Sequence, residues 1–530
     1  MVEPAHTRDV RREHAWLCLV VILLLATGLR FVGLERVPPG FAPDEASNGY
    51  DAYSLLLTGR DQHGALLPLV LRGFNDYRMP LFTYSVIPFI GLFGLTPASV
   101  RLTAAFWGLV TVPLAYWLGA RMVNRRTGVV TALLCALSPW HIAFSRLGLE
   151  GTLVAFSVAL AMAFLWQWQT DHRSCWLIGA GVALGLSVYT YSIAKFFAPA
   201  VLALAALFWK DDVKRHFKAA LVALALAACL ALPMAYLTLR YPDQMQARYN
   251  QIAIFRPDRP LPEALREFIG LAAIHFSPDY LFIKGDTDIL QHPPFGGQLY
   301  WVQAPLLIIS LLMISQTRYR RAVGFNIAWL LMAAIPAALT EPNNPGSGHS
   351  LRNILALVPF QTLSAIGLNW IWETHQLRPW SRAIAIGLVA LALSLNAGWF
   401  LRQYVQVYPP QVASRFEDGL QQLVETMYVV EKNYPVVVVS DKINSPYIYI
   451  LFFTRYDPVR LHADPPVRGQ ELFAPVTRVG HYIFGDVEQE YAEREHGLFL
   501  CRAWVLYDVP ELAVIRRPSD RKPMFRLAIK

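Results

Sequence analysis

The stretch Pro80–Leu95, PLFTYSVIPFIGLFGL, decides the topology of the whole chain. It is apolar, yet Pro88 interrupts it and Pro80 and Pro97 flank it. A helix that crosses a bilayer needs about 20 mainly apolar residues. Eleven other runs qualify, near 15–34, 99–120, 127–145, 152–169, 174–191, 194–209, 219–238, 301–316, 322–340, 353–372 and 382–400. If 80–95 does not cross, the basic gaps at 121–126, 170–173, 210–218, 316–321 and 373–382 share the side of the Arg-rich N-terminus, as cytoplasmic loops do. If it crosses, those gaps move to the opposite side and the bias breaks down. The pattern predicts a polytopic α-helical membrane protein with about eleven spans and a cytoplasmic N-terminus. The segment 80–95 then lies in the outer interface.

Composition agrees. The 530 residues are 55% hydrophobic and only 16% charged, with mean hydropathy +0.34, whereas soluble domains carry about 25% charged residues. The net charge of +9 comes largely from Lys and Arg in short gaps between apolar runs, where they set topology. No basic stripe with interleaved aromatics appears, so nucleic acid is excluded as a partner. The cysteines at 18, 135, 175, 229 and 501 show no paired spacing and read as small apolar residues. The first apolar run follows a basic flank, is longer than a cleaved signal core and lacks a small-residue cleavage site, so it reads as a retained signal anchor.

On this topology the outer face carries the loop 35–98, the loop at roughly 239–300, the loop 340–352 and everything beyond residue 400. The expected location is the plasma or inner membrane, with 1–404 a transmembrane domain. Residues 405–530 form a small extracytoplasmic α/β domain, read from a helical period, the strand VVVVS at 436–440, a second helix, and strands in HYIFGD and CRAWVLYDV. It has neither a phosphate-binding glycine loop nor a nucleophile elbow. A structural or acceptor-guiding cap is the plainest role.

Chemistry-bearing residues gather in the outer loops. FAPDEASNGY at 41–50 places Asp44 and Glu45 just after the first span. Partial burial would tune a carboxylate there into a general base, whereas a helix start at PDEA explains the pair without chemistry. Asp76 and Arg78 precede the interfacial segment. Arginine's fork of donors suits phosphate, and snorkelling to headgroups explains Arg78 equally well. The loop 239–300 contributes His275, Lys284, Asp286 and His292, with histidine spacing unlike any tight metal motif. His349 and Arg352 open the next span, and Arg146 and Lys195 are outward-end cations of the spans.

PPGFAPDEASNGYDAYSLLLTGRDQHGALLP, NDYRMPLFTY, LSPWHIAFSRLGLEG, KGDTDILQHPPFGGQLYW and LTEPNNPGSGHSLRNILALVPF together resemble the bacterial dolichyl-phosphate-mannose protein mannosyltransferase-like family. These are GT-C superfamily glycosyltransferases, related to protein O-mannosyltransferases and lipid A aminoarabinose transferases. The resemblance covers roughly 15–400, with the Asp-Glu pair its most specific element. It implies surface-lying helices in the first outer loop, a sugar donor carried on polyprenyl phosphate, and transfer on the outer face with inversion. It further implies Asp44 as catalytic base with Glu45 in support, and Arg78, Lys195, His292, His349 and Arg352 at the donor phosphate. Asp76 would help to hold a divalent metal ion, the one cofactor the resemblance leaves open. The family's tandem proline after that position is a single proline here, in RMPL.

A polytopic lipid or glycan transporter or flippase is the rival reading. Transporters bury ionisable residues at mid-membrane and show inverted repeats, whereas the cores of these spans are nearly free of charge. A non-catalytic scaffold would leave the outward Asp, Arg and His cluster unexplained. The sequence identifies neither the sugar nor the acceptor, which could be protein, lipid or glycan, with membrane lipids as the remaining partner.

Overall fold

A computed structural model describes residues 5–530, apart from 75, 470, 472 and 507, with side chains from residue 15 onward. Asn75 of the NDYR stretch and the side chains of the Arg-rich N-terminal flank lie outside the described residues. The chain runs through α1 (Ala5–Phe31), α2 (Pro43–Thr58), the short hairpin β1 (Leu71–Arg72) and β2 (Tyr77–Arg78), α3 (Leu81–Phe93), α4 (Pro97–Met122), α5 (Arg125–Leu137), α6 (Pro139–Ser145), α7 (Gly151–Asp171), α8 (Ser174–Ser187) and α9 (Ala194–Phe208). Further long helices follow at Phe217–Arg240, Gln303–Leu312, Thr317–Ala338, Leu357–Glu373 and Pro379–Arg402.

Each of the eleven expected spans holds a helix. Six are long and apolar enough to cross a membrane, and the bent pair α5–α6 makes a seventh. The other apolar helices are shorter: Ala15–Phe31, Ser174–Ser187, Ala194–Phe208 and Gln303–Ser315. The 57° bend of α5–α6 sits at Ser138–Pro139, where proline removes a helical N–H and drives the preceding residue out of the α region. Ser138 turns this break into a new start, because its hydroxyl accepts from His141 N. Asn124 and Thr96 cap α5 and α4 in the same way. Helices Phe217–Arg240 and Pro379–Arg402 present exposed leucines, including Leu232, Leu239, Leu388 and Leu395, an apolar surface far larger than water tolerates.

The segment 80–95 forms α3, of 13 residues. At 1.5 Å per residue it reaches only about 20 Å, short of a hydrocarbon core of roughly 30 Å. Its stripe Phe82, Val86 and Ile90 packs into a core shared with α2 and α4. The basic gaps collect at one end of the bundle. Glu373 pairs with Arg318 at 2.8 Å and accepts from Asn124, Arg126 lies over Trp372, and Gln169 bonds Asp212. The outer-loop residues lie at the other end.

After Pro379–Arg402 the helical path continues to Val412. A seven-stranded sheet follows, ordered β4-β5-β6-β3-β7-β9-β8, where β3 is Val437–Ser440, β4 Val467–Arg468, β5 Val476–Val479, β6 Tyr482–Gly485, β7 Leu498–Arg502, β8 Glu511–Arg516 and β9 Pro523–Ile529. The central β3 runs parallel to β6 and β7, and the remaining pairs are antiparallel. CRAWVLYDV is strand only as far as Arg502, where the Val505 N–H closes a turn on the Arg502 carbonyl. The sheet region does not stand apart from the helices. Val437, Ile448, Phe452 and Leu500 share one core with Phe41, Ala46, Tyr50 and Val100. Gly49 makes this docking feasible, because a Cβ there would stand 2.5 Å from the Phe452 ring.

Candidate active site

Two buried arginines shape the chain between α1 and α2. Arg146, just after α6, donates to the carbonyls of Val37, Leu29 and Gly33 at 3.0, 3.0 and 2.8 Å. The latter two include oxygens left open by the end of α1. Arg101, in α4, donates to the carbonyls of Leu34, Pro38 and Gly40 at 2.9, 2.8 and 2.8 Å. The loop is thereby held at every turn before it enters α2.

Arg101 also holds Glu45 with two parallel bonds, Nε to Oε1 at 2.9 Å and Nη2 to Oε2 at 3.0 Å. Oε1 accepts further from Gly148 N at 2.8 Å and Oε2 from Ala42 N at 3.0 Å. The last bond is the reach-back of a helix-start glutamate to the cap residue, and Pro43 occupies the first helical position. PDEA is therefore a helix start. Both charges of the Arg101–Glu45 pair are fully buried.

Asp44 turns the other way. Its side chain is solvent-accessible, yet enclosing protein groups raise its carboxyl above the usual range, as do the like charges of Asp76 and Glu45, while Arg78 opposes them. Arg78, on β2, is the cation of the charged group around Asp44. It donates to Asn48 Oδ1 at 2.9 Å, to Ser47 Oγ at 2.7 Å and to Asp51 Oδ2 at 3.1 Å, and its charge faces Asp51, Asp44, Asp76 and Glu150. Asp51 is held from a third side by Gln62, through N and Nε2. Glu150, at the start of α7, is pushed up to about 7 by burial first, with Asp44 and Asp76 adding repulsion. Asp76 is likewise raised by burial, against the pull of Arg78 and Arg248. Four carboxylates surround Arg78, with Arg248 reaching Asp76 alone, so repulsion among the acids adds to burial in holding their protons.

A cationic group adjoins this acidic one. Arg352 donates to Thr340 Oγ1 and to the Glu341 carbonyl, both at 2.8 Å. Burial lowers its pKa, with the charge of Arg248 adding to this and those of Tyr191 and Asp286 opposing it. The Arg352 N–H points at His349 Nδ1, and the His349 N–H donates to His275 Nε2 at 3.1 Å. His275 Nδ1 bonds the Leu271 carbonyl, so this ring is neutral with its proton on Nδ1, and burial drops its pKa to about 4. Tyr191 joins the two groups, facing the charges of Arg352, Glu150 and Asp76. The acidic group thus adjoins Arg352 and Arg248, whose charges face Asp286 and Asp76 respectively.

Residues 24–246 match the family model of dolichyl-phosphate-mannose-protein mannosyltransferase. The structure of ArnT from Cupriavidus metallidurans bound to undecaprenyl phosphate superposes with a TM-score of 0.60 at 13% identity, covering 97% of this chain and 98% of that one. The fold is GT-C. Archaeal oligosaccharyltransferase AglB from Archaeoglobus fulgidus, in complex with an inhibitory peptide and a dolichol-phosphate, superposes with a TM-score of 0.53 at 14% identity, over 84% of this chain and 64% of AglB. No curated protein matches the sequence. The resemblance read from PDE and the motifs up to residue 151 is borne out over 24–246.

Within the GT-C frame the remaining expected site residues separate. His292 is buried beneath Gly285, with Nε2 on the Gly296 carbonyl and a pKa lowered to about 4 by burial, and it pins the loop 285–296. Asp286 accepts from Ser350 N and Oγ at 2.7 and 2.8 Å and so carries the backbone of the His349–Arg352 turn. Lys195 stands at the start of α9, four residues after Tyr191. Among the described residues no group of three or more His, Cys, Asp or Glu side chains is arranged to hold a metal ion. Asp76 itself faces the charges of Arg78 and Arg248. Glu150, Asp51, Tyr191 and Arg248 were not singled out by sequence reasoning. Glu150 had a signal, since it follows the outward end of its span as Asp44 follows that of the first.

Proposed function

We propose that the chain is a membrane glycosyltransferase that moves a sugar from a polyprenyl-phosphate donor to an acceptor hydroxyl at the outer face, with inversion. The observation that carries this reading is the exposed Asp44 carboxylate in an acidic cluster that adjoins Arg352 and Arg248. Asp44 takes the proton of the acceptor hydroxyl as its oxygen attacks the anomeric carbon. The bond from that carbon to the phosphate oxygen breaks on the opposite face, and the electron pair leaves with the lipid phosphate. Arg352 and Arg248 face the charge that develops there, with Tyr191 and His349 nearby. Preorganised cations at a leaving group are commonly worth a few kcal/mol.

Other residues act through these. Glu45 offers no free oxygen and serves to aim α2. Arg78 is committed to Asp51, Ser47 and Asn48, so it tunes the charge of Asp44 more than it binds phosphate. Supporting the donor class, the two GT-C structures above carry undecaprenyl phosphate and a dolichol-phosphate. The test is to incubate the full chain in nanodiscs with a panel of undecaprenyl-phosphate-linked sugars and to follow release of free undecaprenyl phosphate. Release, with a product of opposite anomeric configuration, is expected. Donor that crosses the bilayer intact would make the chain a flippase instead.

A further inference from the structure

A crevice of about 800 Å³ opens between the loop that leads to Asp44 and the sheet region, within the range of roughly 300–1,000 Å³ typical of ligand sites. Gly40 and Phe41 form one wall, and the segment Glu417–Gln422 with Tyr449 and Phe453 forms the other. The walls are locked together. Phe41 N donates to the Phe416 carbonyl at 2.6 Å, and Tyr449 Oη donates to the Phe41 carbonyl at 2.8 Å. Tyr449 also faces the charges of Glu417, Glu45 and Asp44, so the crevice backs onto the reaction centre.

Glu417 indicates what the crevice takes. It is 3% exposed and lines the crevice with backbone in the left-handed region, φ +51°, a conformation that is costly for a non-glycine residue and is concentrated at functional sites. Its Oε1 accepts from Arg502 at 2.7 Å and from Asn444 N, whereas Oε2 has no partner among the described residues. A buried acceptor left open is costly unless something fills it. Arg502 already balances the charge, so the open oxygen calls for a neutral donor such as a hydroxyl, not a cation. Aromatic rings line the same wall, with Tyr449 and Phe453 stacked at 9°, and Gln421, Gln422 and Arg455 rim it with further hydrogen-bonding groups. No strand residue lines it, so an extended peptide cannot dock by strand addition.

We infer that the crevice holds an oligosaccharide acceptor, binding sugar units beyond the one whose hydroxyl Asp44 deprotonates. The inference rests on the glycosyltransferase reading and names its acceptor class. The test is ligand-observed NMR on the full chain in nanodiscs, with linear hexasaccharides of mannose, glucose and galactose and a Ser/Thr-rich peptide as probes. At least one hexasaccharide should bind, and Glu417→Gln should weaken it about tenfold or more, as loss of a buried charge-assisted acceptor does. Gln421→Trp fills the crevice from an exposed helix position without touching the Arg502 pair, and it should abolish binding even if Glu417→Gln fails to fold. Binding of no hexasaccharide, binding unchanged in Gln421→Trp, or binding of the peptide alone would overturn the inference. Donor cleavage by the same preparation reads the enzyme assignment separately, so active cleavage without glycan binding counts against the acceptor site alone.

Discussion

Asp44 and Glu45 are sequence neighbours in opposite surroundings. The Glu45 region is saturated: four donors meet two oxygens, and both charges are buried. The Asp44 group is deficient: carboxylates outnumber the guanidinium groups that face them, and the pKa values of Asp44, Asp76 and Glu150 are raised. The difference follows from helix geometry, because adjacent residues on α2 point about 100° apart. The same helix start that buries one carboxylate in the scaffold therefore presents the other to a substrate. One acid supplies rigidity and the other reactivity.

The comparison breaks most severely at the saturated side. Glu45→Ala leaves Arg101 buried without its carboxylate, a change that typically costs about 3–5 kcal/mol. The expected result is loss of folded protein on size-exclusion chromatography and a sharply lower Tm in detergent. On the deficient side, Arg78→Met also leaves the buried Asp51 without its partner, so a lower Tm is expected, and in the protein that stays folded it removes the charge that restrains the pKa of Asp44. Transfer should then fall by about 10²-fold, a common loss for one oriented charge, and the acid limb of the pH–rate profile should move to higher pH. Glu150→Gln tests the same field with opposite sign. Glu150 repels the Asp44 carboxylate, so its removal lowers the pKa of Asp44 and should move that limb to lower pH. Activity in the wild type should rise with pH as Asp44, raised above the usual carboxylate range, loses its proton. The smallest effect is expected at the edge of the charged group. Tyr447 Oη contacts Gln62 Oε1 at 3.4 Å and receives Arg468 at 3.2 Å, so Tyr447→Phe should cost no more than about 1 kcal/mol of stability, read as a small drop in Tm.

The sequence exposed the bundle more fully than the site, for physical reasons. Apolar runs and basic gaps are local signals. The eleven helices stand where hydropathy placed them, and the basic gaps meet at one end through Glu373 and Asp212. The short α3 was legible from Pro88 and run length. Asp44 was legible as an acid in the right loop, but the division of labour with Glu45 was not. It depends on Arg101 in α4 and on Gly148, contacts at separations of 56 and 103 residues. Tyr191 and Arg248 were hidden for the same reason, as each acquires meaning only beside Arg352. Arg78 looked like a phosphate ligand from its position, whereas Asp51 and Gln62, also visible in the loop, bind it into α2.

The most direct test of the central claim is transfer of labelled sugar from polyprenyl-phosphate donors by wild type and by Asp44→Asn, both shown to be folded. Loss of a general base lowers rates by about 10²–10⁴-fold, and a loss of that size with donor binding retained is the predicted result. Equal transfer by the two proteins would contradict it and reduce Asp44 to a residue of the α2 helix start.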